Sequence, residues 1–304
     1  MNWLLIAIIA HFLSALVFIF DKYLLSNTAL RPAAYAFYTG TLGGLSILLF
    51  PFGFTLIPAE QIVISFVAGI SFVLAILFFY KSVQMGEVSR IVPIIGGLVP
   101  IFTFVLTYFF LDERLSSNQL IAFSSLVIGG IVMAWPRKQV RVVSGIIKPS
   151  LIKRLPLAVI AALLFASSYV LTKIIFSDQI FINGFIWIRL GGVIGAILLF
   201  LVPVSRKVIL ETSEKIKSKT GGLALVSKGL SGVAFILLNY AIFLGSVALV
   251  NALQGVQYIF LLILALFLSK KFPRVIKEQV NQSALIQKTV AILFIIMGLG
   301  ILVL

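Results

Sequence analysis

"PIFTFVLTYFFLDERLSSNQLIAFSSLVIGGIVM", residues 100–133, holds two apolar runs joined by the short turn "DERLS". The first run reaches back to residue 90 and the second on to residue 136. Each is long enough to cross the roughly 30 Å hydrocarbon core of a bilayer, which takes about 20 helical residues. Backbone in lipid must satisfy its own N–H and C=O groups, which leaves helices or closed barrels, and these runs are too long for barrel strands. Ser116 or Ser117 can cap the second helix by accepting from its free N–H groups. The stretch is expected to be a membrane-crossing helical hairpin with "DERLS" as a structural turn.

The rest of the chain extends this pattern. Of 304 residues, 61% are hydrophobic and only 11% charged, where a soluble domain holds about 25% charged residues to meet water. Ten spans follow: 2–20, 34–52, 61–80, 90–111, 118–136, 155–176, 181–203, 221–243, 247–269 and 285–304. The start lacks a basic leader and a cleavage site, so span 1 is expected to be retained. Gly-Gly pairs recur within the spans, at Gly43–Gly44, Gly96–Gly97, Gly129–Gly130 and Gly191–Gly192. Small residues let helices approach closely where larger apolar side chains gain nothing over lipid. The fold class is an all-α integral membrane bundle.

The net charge of +15 does not point to nucleic acid, which needs the basic residues gathered on a folded soluble face. Here 20 of the 24 Lys and Arg lie in loops 1–2, 3–4, 5–6, 7–8 and 9–10, and only Arg114 and Lys173 on the opposite side. Positive charge on short loops marks the cytoplasmic side. Both termini are therefore expected outside a cell membrane that the chain crosses many times. Cysteine is absent, which removes disulfides and thiolate metal sites, and no cofactor is expected.

A shift of about 160 residues lays the sequence after Phe78 on that after Leu238, matching Tyr80 to Tyr240 and Arg114 to Arg274. A shift of 151 matches Ala15 to Ala166, Lys22 to Lys173 and Ser26 to Ser177. The order of spans and loops matches too. Two five-helix halves are expected, 1–136 and 155–304, joined by a basic linker, 137–154. Five is odd, so the second half must enter the membrane inverted, a common transporter architecture with its site near the midplane.

The stretch 100–133, with a fourth helix ending in an acidic "DER" and a fifth closing on Gly-Gly, resembles the EamA-type proteins of the drug/metabolite transporter (DMT) superfamily. In the second half "KKFPRVIKEQ" stands where the matching turn is expected, a departure from the pattern. The resemblance implies a transporter of small metabolites, amino acids or drugs, with a central cavity lined by helices 1, 3, 4, 6, 8 and 9. Many such proteins carry cytoplasmic termini, opposite to the charge count here.

All nine acids fall in loops or at helix ends. That disfavours a cation exporter that exchanges protons on a buried carboxylate. His11 is near the middle of span 1; it could titrate near neutrality or serve as a neutral hydrogen-bonded histidine. In span 9, Asn251, Gln254 and Gln257 share one face at i, i+3, i+6. Amides are costly against lipid, so the stripe faces either a neighbouring helix or a water-filled cavity. Asn239 and Tyr240 add polar groups in span 8, and Ser167, Ser168 and Tyr169 in span 6. Pro93 and Pro100 interrupt the hydrogen-bond ladder of span 4 and suggest a hinge. Two cations lie within spans. Lys228 is roughly 10 Å in from Gly221 and can snorkel; alternatively it is a point charge for a carboxylate or phosphate, with Arg189 a second candidate.

The leading expectation is a secondary transporter, exporting by alternating access, of small metabolites that are amino acid-like, anionic or zwitterionic, as a monomer or homodimer. A flippase of a lipid-linked intermediate is the alternative. A lipid-modifying enzyme fits less well, since no nucleophile–base spacing or carboxylate pair is present, and no phosphate-binding G-x-x-x-x-G-K-[ST] loop supports a primary pump.

Overall fold

The computed structural model describes residues 2–27, 31–85, 88–135, 151–215, 221–271 and 282–303. Ten membrane helices appear in the expected order: helix 1 (Asn2–Asn27), helix 2 (Pro32–Leu42, continued by Gly43–Phe52), helix 3 (Ala59–Met85), helix 4 (Val88–Phe110) and helix 5 (Ser117–Ala134). The second half gives helix 6 (Leu151–Asp178), helix 7 (Phe181–Leu201), helix 8 (Gly221–Leu244), helix 9 (Val247–Ala252 and Gln254–Lys271) and helix 10 (Gln282–Val303). Among the described residues nine helices are long and apolar enough to cross a membrane, and Ile94–Phe110 is a tenth, shorter apolar stretch. The all-α membrane bundle expected from hydropathy is what forms. Most of the basic linker and of "KKFPRVIKEQ" lies outside the described residues.

The "DERLS" turn is built as its residue types suggest. Asp112 takes φ +48°, a left-handed conformation that aspartate tolerates better than most residues. Arg114 donates twice to Asp112 Oδ1, at 2.9 and 2.7 Å, and lies over the Tyr108 ring. Ser116 caps helix 5 by accepting from Gln119 N, and the Gln119 side chain accepts from Ser116 N. That reciprocal pair satisfies two otherwise orphaned donors.

Three features differ from the sequence expectations. Loop 7–8 contains a further polar helix, Pro203–Lys215, which docks on the start of helix 2 through an Arg31–Glu211 ion pair of 2.8 Å. Helix 2 tightens to a 3₁₀ helix over Gly43–Phe52. At about 2.0 Å rise per residue instead of 1.5 Å, this lets a short helix span more of the bilayer. Helix 4 runs unbroken through Pro93 and Pro100; the interruptions of α-geometry fall at Gly43 and at Leu253 instead.

Helix packing follows the two halves. Helix 1 packs on helices 8 and 9, and helix 6 on helices 3 and 4. Interchanging the halves exchanges these two sets, while helix 5 with helix 10 and helix 2 with helix 7 map onto themselves. Other seams break the exchange, as where helix 5 packs on helix 9 without a comparable seam between helices 4 and 10 among the described residues. Helix 3 packs closely along helix 7, but helix 8 has no comparable seam with helix 2 among the described residues. Glycine explains the close seam. A Cβ on Gly191 would come within 2.6 Å of Phe66 Cα, and one on Gly69 would overlap the backbone of Ile188 and Gly192. At the end of this seam Asn183, fully buried, bonds Thr55 and Gln179, and Gln179 bonds Gln61.

Candidate functional site

A cavity of about 290 Å³ lies between the halves. Its walls come from helices 1, 3, 4, 6, 8 and 9, the set that the family resemblance implied. It extends from Asn251, near the start of helix 9, to Phe79 and Val92, near the helix ends that carry the basic loops.

Helix 9 positions the polar wall. Ser246 caps it by accepting from Leu249 N. The irregular residue Leu253 then resets the helix, so that Asn251, Gln254 and Gln257 all reach the cavity. Asn251 donates to Val247 O of its own helix at 3.0 Å, and its carbonyl oxygen has no partner among the described residues. Gln254 has no hydrogen-bond partner among the described residues. His11, 5% exposed, donates from Nε2 to Val250 O at 3.1 Å, and its Nδ1 lies 3.4 Å from Gln257 Oε1. Since a carbonyl oxygen can only accept, Nε2 carries a proton. Nδ1 then either donates to Gln257 as part of an imidazolium, or accepts from the amide rotated end for end. Asn251, Gln254, Gln257 and His11 are therefore brought together.

The other candidates are not on this lining. Lys228 lies one turn before the lining residue Ser231; its ammonium donates to the Tyr35 hydroxyl at 2.5 Å and sits 3.9 Å from the centre of that ring. Tyr35 in turn packs on Tyr80 of helix 3, with ring centres 4.2 Å apart. Lys228 thus bridges helices 8 and 2 at the rim. Arg189 lies behind the aromatic wall: it donates to Thr39 O at 3.3 Å and approaches the Phe235 ring at 4.8 Å, while Phe235 faces the cavity. Among the described residues no acid pairs with Arg189. Asn239 is spent on Phe235 O of its own helix at 2.8 Å, and Tyr240 packs edge-on against Phe181 at the far end. Ser168 donates to Ala68 O and ties helix 6 to helix 3.

Several lining groups were missed as site residues, three of them beside the polar wall. Tyr258 and Ser231 reach the cavity, and Gly96 of helix 4 faces Tyr258. Tyr258 could have been found, because it is four residues after Gln254 and seven after Asn251 and so shares their face. Ser231 carries no such signal.

Lys173 has a different role from the in-span cations. Its ammonium donates to Ile242 O, Phe243 O and Gly245 O at 2.9, 3.2 and 2.8 Å. It closes the carboxyl end of helix 8, where carbonyls lack helical partners and the helix dipole favours a cation.

No curated protein matches the chain. A solved crystal structure named only "Crystal structure of protein" is similar over 97% of both chains, with a TM-score of 0.65 and 15% sequence identity, a likeness of fold alone. Residues 1–135 match the model of the EamA-like transporter family. With that match and the apolar helices around the cavity, the chain is a multi-pass membrane protein whose first 135 residues are similar to the EamA-like transporter family.

Proposed function

We propose that the protein is a secondary transporter that moves a small solute through the cavity by alternating access. One observation carries this: a partly polar cavity lies in an otherwise apolar bundle, with walls drawn from helices of both halves. Uncommitted amides are expensive inside a membrane protein unless water or a solute meets them. The two halves, 1–136 and 155–304, act as inverted repeats, in keeping with the exchanged packing of helix 1 and helix 6. The cavity reaches toward the basic-loop end of the bundle. If basic loops are cytoplasmic, the solute loads from the cytoplasm and the direction is export across the cell membrane.

The charge expected to select an anion is placed at the edge of this site, with Lys228 at the rim and Arg189 behind Phe235. An amino acid-like or zwitterionic solute would have to draw its carboxylate to those positions.

The test is flux in proteoliposomes. A water-soluble solute should move in a protein-dependent way, and Ser231→Trp, which fills the cavity, should cut the rate tenfold or more with the helical signal unchanged. Movement of a lipid reporter without solute flux would replace this proposal with a flippase. An unaltered rate in the filled variant would remove the cavity from the pathway.

A further inference from the structure

We propose that the cavity takes an uncharged, flat heteroaromatic solute with an amide-like edge, of nucleobase size. This rests on the transporter proposal and names its substrate class. Among the described residues the lining holds no Lys, Arg, Asp or Glu, and its one histidine is already engaged with Val250 and Gln257. A charged solute would leave water for a wall without a Lys, Arg, Asp or Glu to meet it, a desolvation cost that hydrogen bonds to amides do not fully offset.

The hydrogen-bonding groups that remain are both donors and acceptors. The Gln254 amide offers both, and the Asn251 carbonyl oxygen accepts. The Tyr258 hydroxyl is buried, lines the cavity and has no hydrogen-bond partner among the described residues. It is held against Gly96, where any side chain would collide with it. A buried polar group without a partner is costly, and an edge that presents adjacent N–H and C=O groups satisfies these three residues together.

The rest of the wall is aromatic. Phe165 and Tyr169, one turn apart on helix 6, lie nearly parallel, at an interplanar angle of 15°. Both line the cavity with Phe79 and Phe235, and ring faces of this kind favour a planar, offset-stacked guest. They would also attract an organic cation, but Arg189 already occupies one face of Phe235 at 4.8 Å and would repel it. The volume of about 290 Å³ lies at the small end of ligand cavities.

Thermal melting of the purified protein tests the class, because a ligand that binds only the folded state raises the melting temperature. Hypoxanthine and uracil should raise it with increasing concentration. Benzoate, succinate and benzyltrimethylammonium should do so at least tenfold less effectively. Tyr258→Phe and Gln254→Leu should each weaken the lactam effect tenfold or more, with ligand-free melting as the check on folding. A larger response to benzoate or succinate would overturn the proposal and move the site to Arg189. A larger response to the quaternary ammonium, or none to either lactam at millimolar concentration, would also overturn it. Proteoliposome uptake separates the two proposals. Lactam binding without uptake keeps this inference and removes the transporter; uptake of another solute, with lactams inert, removes this inference alone.

Discussion

The seam between helices 3 and 7 and the gap between helices 2 and 8 occupy matching places in the two halves, yet they are closed by opposite means. Gly69, Gly191 and Gly195 bring the first pair into backbone contact. The second pair is spanned by long cations, with Lys228 reaching Tyr35 and Arg189 filling the space between Thr39 and Phe235. In lipid, helix association draws on close packing rather than on hydrophobic expulsion. A glycine seam gains many small contacts at once and holds firmly. A seam made by side-chain tips gains few and can part without breaking a packed surface. The difference suits alternating access, in which one side of a site is sealed while the other is ready to move.

The largest expected effect comes from prying the glycine seam apart. Gly69→Ala places a methyl group into the backbone of Ile188 and Gly192. Overpacking of this kind typically costs about 1–3 kcal/mol, and more is expected where backbone is the obstacle. Melting in detergent should fall by several degrees, while Gly232→Ala, with nothing within 4 Å, should leave it unchanged or slightly raised. Equal behaviour of the two variants would dissolve the contrast.

Water access should separate the seams by about an order of magnitude. The natural chain has no cysteine, so single cysteines report cleanly. Ser231→Cys faces the cavity one turn from Lys228, whereas Ser65→Cys replaces a fully buried serine whose backbone carbonyl lies against Gly191. A water-soluble thiol reagent should label the first at least tenfold faster. Comparable rates would mean that the glycine seam is as wet as the cation-bridged one.

The smallest effect is the bridge itself. In a double-mutant cycle on melting, Lys228→Met and Tyr35→Phe should couple by about 0.5–1.5 kcal/mol, the lower part of the range for contacting residues. Strict additivity would show that the Lys228–Tyr35 contact contributes nothing to closing the gap.

Much of the site was legible before folding, and for a specific reason. Asn251, Gln254 and Gln257 share a helix face, and three amides cannot be left to lipid, so a period of about 3.6 residues announces an inward wall. Tyr258 extends that face by one turn. Lys228 and Arg189 were legible only as anomalies. A sequence shows that a cation lies at membrane depth without showing what its long, flexible stem can reach, here Tyr35 and Thr39. The 3₁₀ stretch of helix 2 was hidden as well, because Gly43 is pressed against the Arg189 guanidinium, a contact between residues 146 positions apart.

The sequence by itself determined the all-α membrane class, the span order and the "DERLS" turn, because hydropathy, backbone satisfaction and capping act over at most two dozen neighbouring residues. Only the tertiary structure decided which polar groups share a cavity, that helices 3 and 7 close through glycine, and that the in-span cations stand at its edge. Those outcomes depend on which helix faces meet, and in lipid the faces are selected by the fit of whole surfaces rather than by the polarity of single residues.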